Sequence, residues 1–397
     1  MVRKISLNIS FFILWLSLVI MYRLNINNSQ WMLEFFNYSI GIDKMSILFI
    51  VLTNVLSCLC IMLSWNIKYR IKEYIMCIFL VQICLINVFC MFDLFMFYVN
   101  FELVLIPMVL LIGIWGSRER RVEAAFQFFI YTLLGSFFML VALLMLYMHI
   151  GSCDIRLLIS QSVSDIRQII VCLCLLIAFA VKVPMFPVHL WLPEAHVEAS
   201  TPGSVILAGV LLKLGTYGII RFMVPSFPVG CAYLAPLVFV LSLLGVLYGS
   251  CTTLRQVDLK KIVAYSSVAH MNLVMLGLFS FNFQAIEGAL VLMLSHGFVS
   301  SALFICVGFL YERYKTRVIY YYGVLVQIMP IYVWLMGFFI MANLAFPGTS
   351  NFLGEFLILI GLMNVNIVVT VLAGLSMILS AAYNLWFYIT FSLNLNL

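Results

Sequence analysis

I-A-F-A-V-K-V-P-M-F-P, residues 177–187, is an apolar stretch holding a lysine and two prolines. It lies inside a longer apolar run, 168–190. A proline inside a helix removes one backbone hydrogen bond and clashes with the carbonyl four residues earlier. The run is long enough to cross a bilayer, which takes about 20 mostly apolar residues, yet it cannot do so as one plain helix. In lipid, a broken helix persists only where surrounding protein or a lined cavity satisfies the freed backbone groups. Lys182 adds a cation where one costs about 2.5–3.5 kcal/mol on insertion scales. The stretch therefore reads as a discontinuous membrane helix enclosed by others.

The rest of the chain supplies those others. Of 397 residues, 65% are hydrophobic and 9% charged, and mean hydropathy is +1.17. A soluble domain is about 45–50% apolar and about 25% charged, so lipid is the solvent for most of this chain. Apolar runs fall at 5–22, 45–65, 74–92, 94–115, 126–149, 168–190, 203–222, 232–252, 261–280, 286–310, 323–363 and 366–391. The eleventh carries Pro347-Gly348 in its middle and reads as a second broken helix. About twelve spans result. No small-residue cleavage site follows the run 5–22, which reads as a retained first helix.

The formal charge of +6 does not make a nucleic-acid face, because the basic residues sit in short segments between spans. With the N-terminus on one side, that side collects Arg3, Lys4, Lys68, Arg70, Lys72, Arg118, Arg120, Arg121, Arg255, Lys260, Lys261, Arg313, Lys315 and Arg317. The opposite side holds only Arg23, Lys44, Arg156, Arg167 and Arg221. That excess puts the first side in the matrix or cytoplasm, and one miscounted helix would destroy it. The eleven cysteines are scattered, with Cys58, Cys60, Cys172 and Cys174 inside apolar runs and no C-x-x-C pair. This argues against iron–sulfur and zinc sites.

The chain looks internally duplicated. A-F-Q-F-F-I-Y-T-L-L-G-S-F-F-M-L from Ala125 parallels G-A-L-V-L-M-L-S-H-G-F-V-S-S-A-L from Gly288, and L-A-G-V-L-L-K-L from Leu207 parallels L-A-G-L-S-M-I-L from Leu372. The two proline-broken runs stand at corresponding places. Five helices separate each pair, and an odd number inverts the second copy. The expected organisation is N-terminal helices over 1–73, a first five-helix repeat over 74–222 and a second, inverted repeat over 232–391. Inverted repeats with matching broken helices mark secondary-transporter architecture.

Five ionisable residues stand inside the runs: Glu102, Lys182, Lys213, His296 and Glu355. Such residues persist in a bilayer where they have a partner or a task, and chains of them relay protons. A lysine can shed its proton, which a guanidinium effectively never does. Plainer readings stand beside this one. Glu102 and Lys182 could be a structural ion pair, His296 a packing histidine, and Glu355 a cap on the second break. His189 and His196 are expected at the membrane edge, as relay exits or as structural groups.

These residues also carry a resemblance. F-Y-V-N-F-E-L-V-L-I-P, W-G-S-R-E-R-R, F-A-V-K-V-P-M-F-P-V-H-L-W-L-P-E-A-H-V-E-A, L-L-K-L-G-T-Y-G, L-K-K-I-V-A-Y-S-S-V-A-H-M and F-P-G-T-S-N-F-L-G-E-F resemble the antiporter-like membrane subunits of respiratory NADH:quinone oxidoreductase, complex I, and among them the subunit 4 family. The similarity runs from about Gly41 to about Trp386. The lysine–proline break also fits related cation/proton antiporter subunits. G-T-S-N-F-L-G-E-F is more specific, putting Glu355 where sister subunits tend to carry lysine. The resemblance implies an all-α polytopic membrane protein that moves protons. In it Glu102 matches the glutamate paired with a channel lysine, Lys182 that lysine, Lys213 the central-axis lysine, His296 a polar axis residue and Glu355 the terminal acid.

It further implies no cofactor in this chain, with NADH, FMN, iron–sulfur clusters and ubiquinone handled by partner subunits. The implied partners are other complex I membrane subunits, especially the neighbouring antiporter-like ones, and lipids, with no nucleic acid. The implied location is the mitochondrial inner membrane, with a bacterial or thylakoid membrane as the alternative. Two departures stand out. Against the family's usual fourteen helices the first and last are not matched, and E-A-S-T-P-G-S, residues 198–204, displaces a proline. The rival readings are a subunit of a multi-subunit sodium/proton antiporter and a purely structural membrane subunit.

Overall fold

The computed structural model describes residues 2–27, 31–35, 38–161, 163–323 and 325–393. Lipid offers no hydrogen bonds, so each apolar run closes its backbone groups within itself as a helix. In chain order come α1 (Val2–Asn27), an antiparallel pair of strands β1 (Trp31–Phe35) and β2 (Tyr38–Ile42), α2 (Lys44–Leu63), α3 (Ile71–Cys90), α4 (Leu94–Leu103), α5 (Leu105–Trp115), α6 (Arg121–Ile150), α7 (Ile155–Ser160), α8 (Asp165–Lys182) and α9 (Trp191–Glu198). There follow α10 (Thr201–Ile206), α11 (Leu212–Gly218), α12 (Val224–Ser226), α13 (Pro228–Arg255), α14 (Leu259–Phe279), α15 (Phe283–Tyr314), α16 (Leu325–Ile328), α17 (Pro330–Asn343), α18 (Ser350–Met363) and α19 (Ile367–Leu393).

Among the described residues, 10 helical stretches are long and apolar enough to cross a membrane. The two broken spans, α8 with α9 and α17 with α18, complete the twelve read from the sequence. The hydropathy pattern does not show three further features. The fourth span divides at Val104 into α4 and α5, three residues before Pro107, whose missing N–H weakens the helix there. The seventh contains two π-helical turns, Leu207–Leu211 and Ile219–Met223, flanking α11. The β1–β2 pair lies between the first two spans.

The chain divides into two compact units: Met1–Lys182 with Glu198–Leu234, and Val183–Val197 with Ala235–Leu397. In the first, α2 packs on α1, α3 and α10, while α8 packs on α6 and α11. In the second, α15 packs on α14, α17 and α18, and α19 on α17 and α18. The most apolar window of the span over 201–226 is 94% buried, as is that of α14, against 17% for α1. These two spans are therefore surrounded by protein rather than lipid, the environment in which an ionisable side chain can be kept.

The breaks are held differently. At the first, the Asn272 side-chain amide donates to the Pro184 carbonyl at 3.2 Å and to the Val268 carbonyl at 2.8 Å. Asn272 can lie there because residue 245 is glycine: a Cβ at Gly245 would stand 2.6 Å from Asn272 Cγ. At the second, the chain leaves α17, passes Ala345 at φ 61° and Gly348 at φ 99°, and enters α18. The Phe346 amide donates to the Met341 carbonyl at 3.1 Å and the Thr349 amide to the Phe346 carbonyl at 3.0 Å. Gly348 adopts its left-handed conformation without the Cβ penalty.

Candidate functional site

In the first unit, Glu102 ends α4 one residue before its last position and Lys182 ends α8. Lys182 is 2% exposed. Its ammonium lies 4.5 Å from the centre of the Phe101 ring and 5.9 Å from that of Phe128. A desolvated cation over an aromatic face gains about 2 kcal/mol. The expected Glu102–Lys182 pair is not a closed ion bridge, because the lysine turns onto these rings. Carboxylate and ammonium still feel each other's charge, and the Ser136 hydroxyl of α6 lies beside the Glu102 carboxyl. Lys182 Nζ and Glu102 Oε1 are buried without a hydrogen-bond partner among the described residues.

Lys213 lies on α11 and is 0% exposed. Its ammonium donates to the carbonyl of Ala208, five residues back in the first π-helical turn. A π turn shifts the backbone ladder out of α register, and here the lysine side chain meets a carbonyl of that turn. Sequence periodicity alone does not reveal this.

In the second unit, α14, α15 and α18 bring three titratable side chains together. His270 Nδ1 lies 3.0 Å from Glu355 Oε1. The His270 and His296 rings are 5.6 Å apart, centre to centre. Their exposures are 4% for His270, 0% for His296 and 2% for Glu355. His296 and Glu355 were singled out by sequence. His270 was not, although the signal was the same one that marked His296: an imidazole inside an apolar run. Its motif V-A-H-M carries no charge or proline to draw attention.

His189 and His196, expected at the membrane edge, are both enclosed by protein. His189 packs against the rings of Phe186 and Tyr248, and His196 stacks on Phe304 with centroids 4.7 Å apart. Arg317, read from sequence only as a topology signal, is also buried. Its guanidinium donates to the Val197 carbonyl at 2.5 Å and lies 4.3 Å from the centre of the Tyr311 ring. A cation there complements the carbonyl end of α9.

The profile of a family described as NADH:quinone oxidoreductase/Mrp antiporter, TM, matches residues 92–380, which is more than half of the chain. NADH-ubiquinone oxidoreductase chain 4 of Marchantia polymorpha is 55% identical over 353 residues, 89% of this chain and 71% of the relative. The chain 4 protein of Arabidopsis thaliana is 54% identical over 356 residues, 89% and 72% of the two. The chain belongs to this family. The NADH-quinone oxidoreductase subunit M of Rhodobacter capsulatus is 48% identical over 365 residues, 89% of this chain and 71% of that one. In three dimensions the chain superposes on a chain of the respiratory complex I from Thermus thermophilus with bound NADH. The TM-score is 0.91 and the identity 30%, covering 98% of this chain and 84% of that one. The antiporter-like, twelve-span architecture is thus a complex I subunit fold, and these relatives carry complex I names, unlike the multi-subunit antiporters that the same family description covers.

Proposed function

We propose that the chain conducts protons across the membrane as an antiporter-like subunit of respiratory NADH:ubiquinone oxidoreductase, with Glu102, Lys182, Lys213, His296 and Glu355 as relay groups and His270 added to them. It is a subunit of complex I in the mitochondrial inner membrane, and its partners are other complex I subunits. Within that assembly we assign its contacts to the neighbouring antiporter-like subunits and to lipids. NADH oxidation and quinone reduction, with their flavin and iron–sulfur groups, then belong to partner chains. The two broken spans fit one each into the proposed repeats, 74–222 and 232–391.

The observation that carries the reading is the buried line His296, His270, Glu355. An imidazole can take a proton on one nitrogen while releasing one from the other. A carboxyl group bonded to it can accept or supply that proton. A purely structural subunit has no need to bury His270, His296 and Glu355 in one unit and Lys182 and Lys213 in the other, because each costs free energy in a bilayer. The test is Glu355→Gln, which removes the charge with little change of shape. NADH-driven proton uptake is measured in membranes of equal complex content. The variant should assemble and lose most of its uptake; parental uptake would remove Glu355 from the path.

A further inference from the structure

The His270–Glu355 pair does not end at a wall of apolar side chains. Between α13, α14, α18 and α19, all within the second unit, lies a cavity of about 10 Å³. That is close to the smallest space that holds one water, which then needs two to four polar partners. Its polar lining consists of His270, Glu355, Ser250, Ser376, Ser380 and Tyr383. The three serine hydroxyls donate to carbonyls of their own helices, at Leu247, Ala373 and Met377, and so offer acceptor lone pairs to the cavity.

Tyr383 differs from them. It is 0% exposed, and its hydroxyl makes no hydrogen bond among the described residues; His270 Nε2 makes none either. Two amides lie beside the hydroxyl: Asn343 Nδ2 donates to Asn384 Oδ1 at 3.1 Å, and Asn384 Nδ2 makes no hydrogen bond among the described residues. A buried tyrosine hydroxyl ordinarily finds a partner, and a lost one is costly. Here the group lines a water-sized space shared with a carboxyl and an imidazole.

We propose that this cavity is a water site of the relay, and that Tyr383 is a positioning residue whose hydroxyl holds the water against the His270–Glu355 pair. The inference rests on the relay reading of Glu355. Tyr383 keeps its own proton throughout. Its O–H orients the water, and the water supplies Glu355 with a hydrogen-bonding partner that the apolar neighbours Val246, Leu273 and Met377 cannot.

Two measurements on the intact complex test this. The first is an electron cryomicroscopy map of the native complex sharp enough to show ordered water. It should show one water in the cavity, within hydrogen-bond distance of Tyr383 Oη and of Glu355 or His270. A dry cavity, or a Tyr383 hydroxyl bonded to Asn384 instead, overturns the proposal. The second is Tyr383→Phe, which removes one oxygen atom. At equal complex content, proton uptake should fall roughly fivefold, in line with the loss of one hydrogen bond. The infrared carboxyl band that Glu355→Gln abolishes should shift in frequency. Parental uptake with an unmoved band overturns the role of Tyr383. If the phenylalanine variant fails to assemble, the native map still decides. If Glu355→Gln itself leaves uptake unchanged, the relay reading fails, whereas the water site stands or falls on the density alone.

Discussion

Lys213 poses the sharpest question at the scale of a single residue. It is the only charge between Gly203 and Ile220, fully buried, and its ammonium bonds the Ala208 carbonyl. A lysine kept only for that bond would be replaced tolerably by another cation. A lysine that must also release its proton would not, because arginine stays charged. Lys213→Arg should therefore assemble yet take up protons about as poorly as Lys213→Ala, when NADH-driven uptake is compared at equal complex content. Uptake at the parental rate in the arginine variant would leave the lysine a structural role only. Glu102, Lys182, Lys213, His296 and Glu355 were legible from sequence because each is an ionisable group inside a long apolar run. His270 was equally present there but gained its meaning only from Glu355, 85 positions further on, at 3.0 Å.

At the scale of elements, the first break depends on a glycine of another helix. Gly245 on α13 leaves room for Asn272 on α14, and Asn272 in turn holds the Pro184 carbonyl. A Cβ at residue 245 would stand 2.6–2.7 Å from three atoms of the Asn272 amide, closer than any can remain. Gly245→Ala should push that amide away and leave the freed carbonyl unsatisfied, at a cost of about 1–3 kcal/mol. Thermal denaturation of the purified complex, or the yield of assembled complex, reads this loss. Gly374→Ala, whose added Cβ meets nothing within 4 Å, is the control and should match the parent. Equal stability of the two variants would show that Asn272 is dispensable to the break. Proline announced both interruptions in the sequence, because its missing N–H is a local property. What holds each interruption is not local, and neither Gly245 nor Asn272 carries a sequence signal for it.

At the scale of the whole molecule, each compact unit encloses its own titratable set: Lys182 and Lys213 in the first, His270, His296 and Glu355 in the second. If a proton must use both sets in turn, a path already cut in one gains little further damage from a cut in the other. Lys213→Ala combined with Glu355→Gln should then take up protons no more slowly than the worse single variant. Groups acting in independent paths would instead lose activity additively in free energy. Proton uptake of the two single variants and the double variant, at equal complex content, separates the cases; additive losses would assign the two units separate routes.

The sequence by itself determined the class of molecule. Its 65% hydrophobic content, the length of its apolar runs and the imbalance of lysine and arginine between alternate loops are one-dimensional quantities, and lipid responds to them segment by segment. The prolines placed both broken helices for the same reason. Only the tertiary structure decided the rest. It turned Lys182 onto the Phe101 and Phe128 rings rather than into a closed bridge with Glu102, set Lys213 against a π-turn carbonyl, joined His270 to Glu355, and left Tyr383 facing a water-sized cavity. These outcomes depend on which side chains of distant helices meet, and no periodicity within one helix records its neighbours.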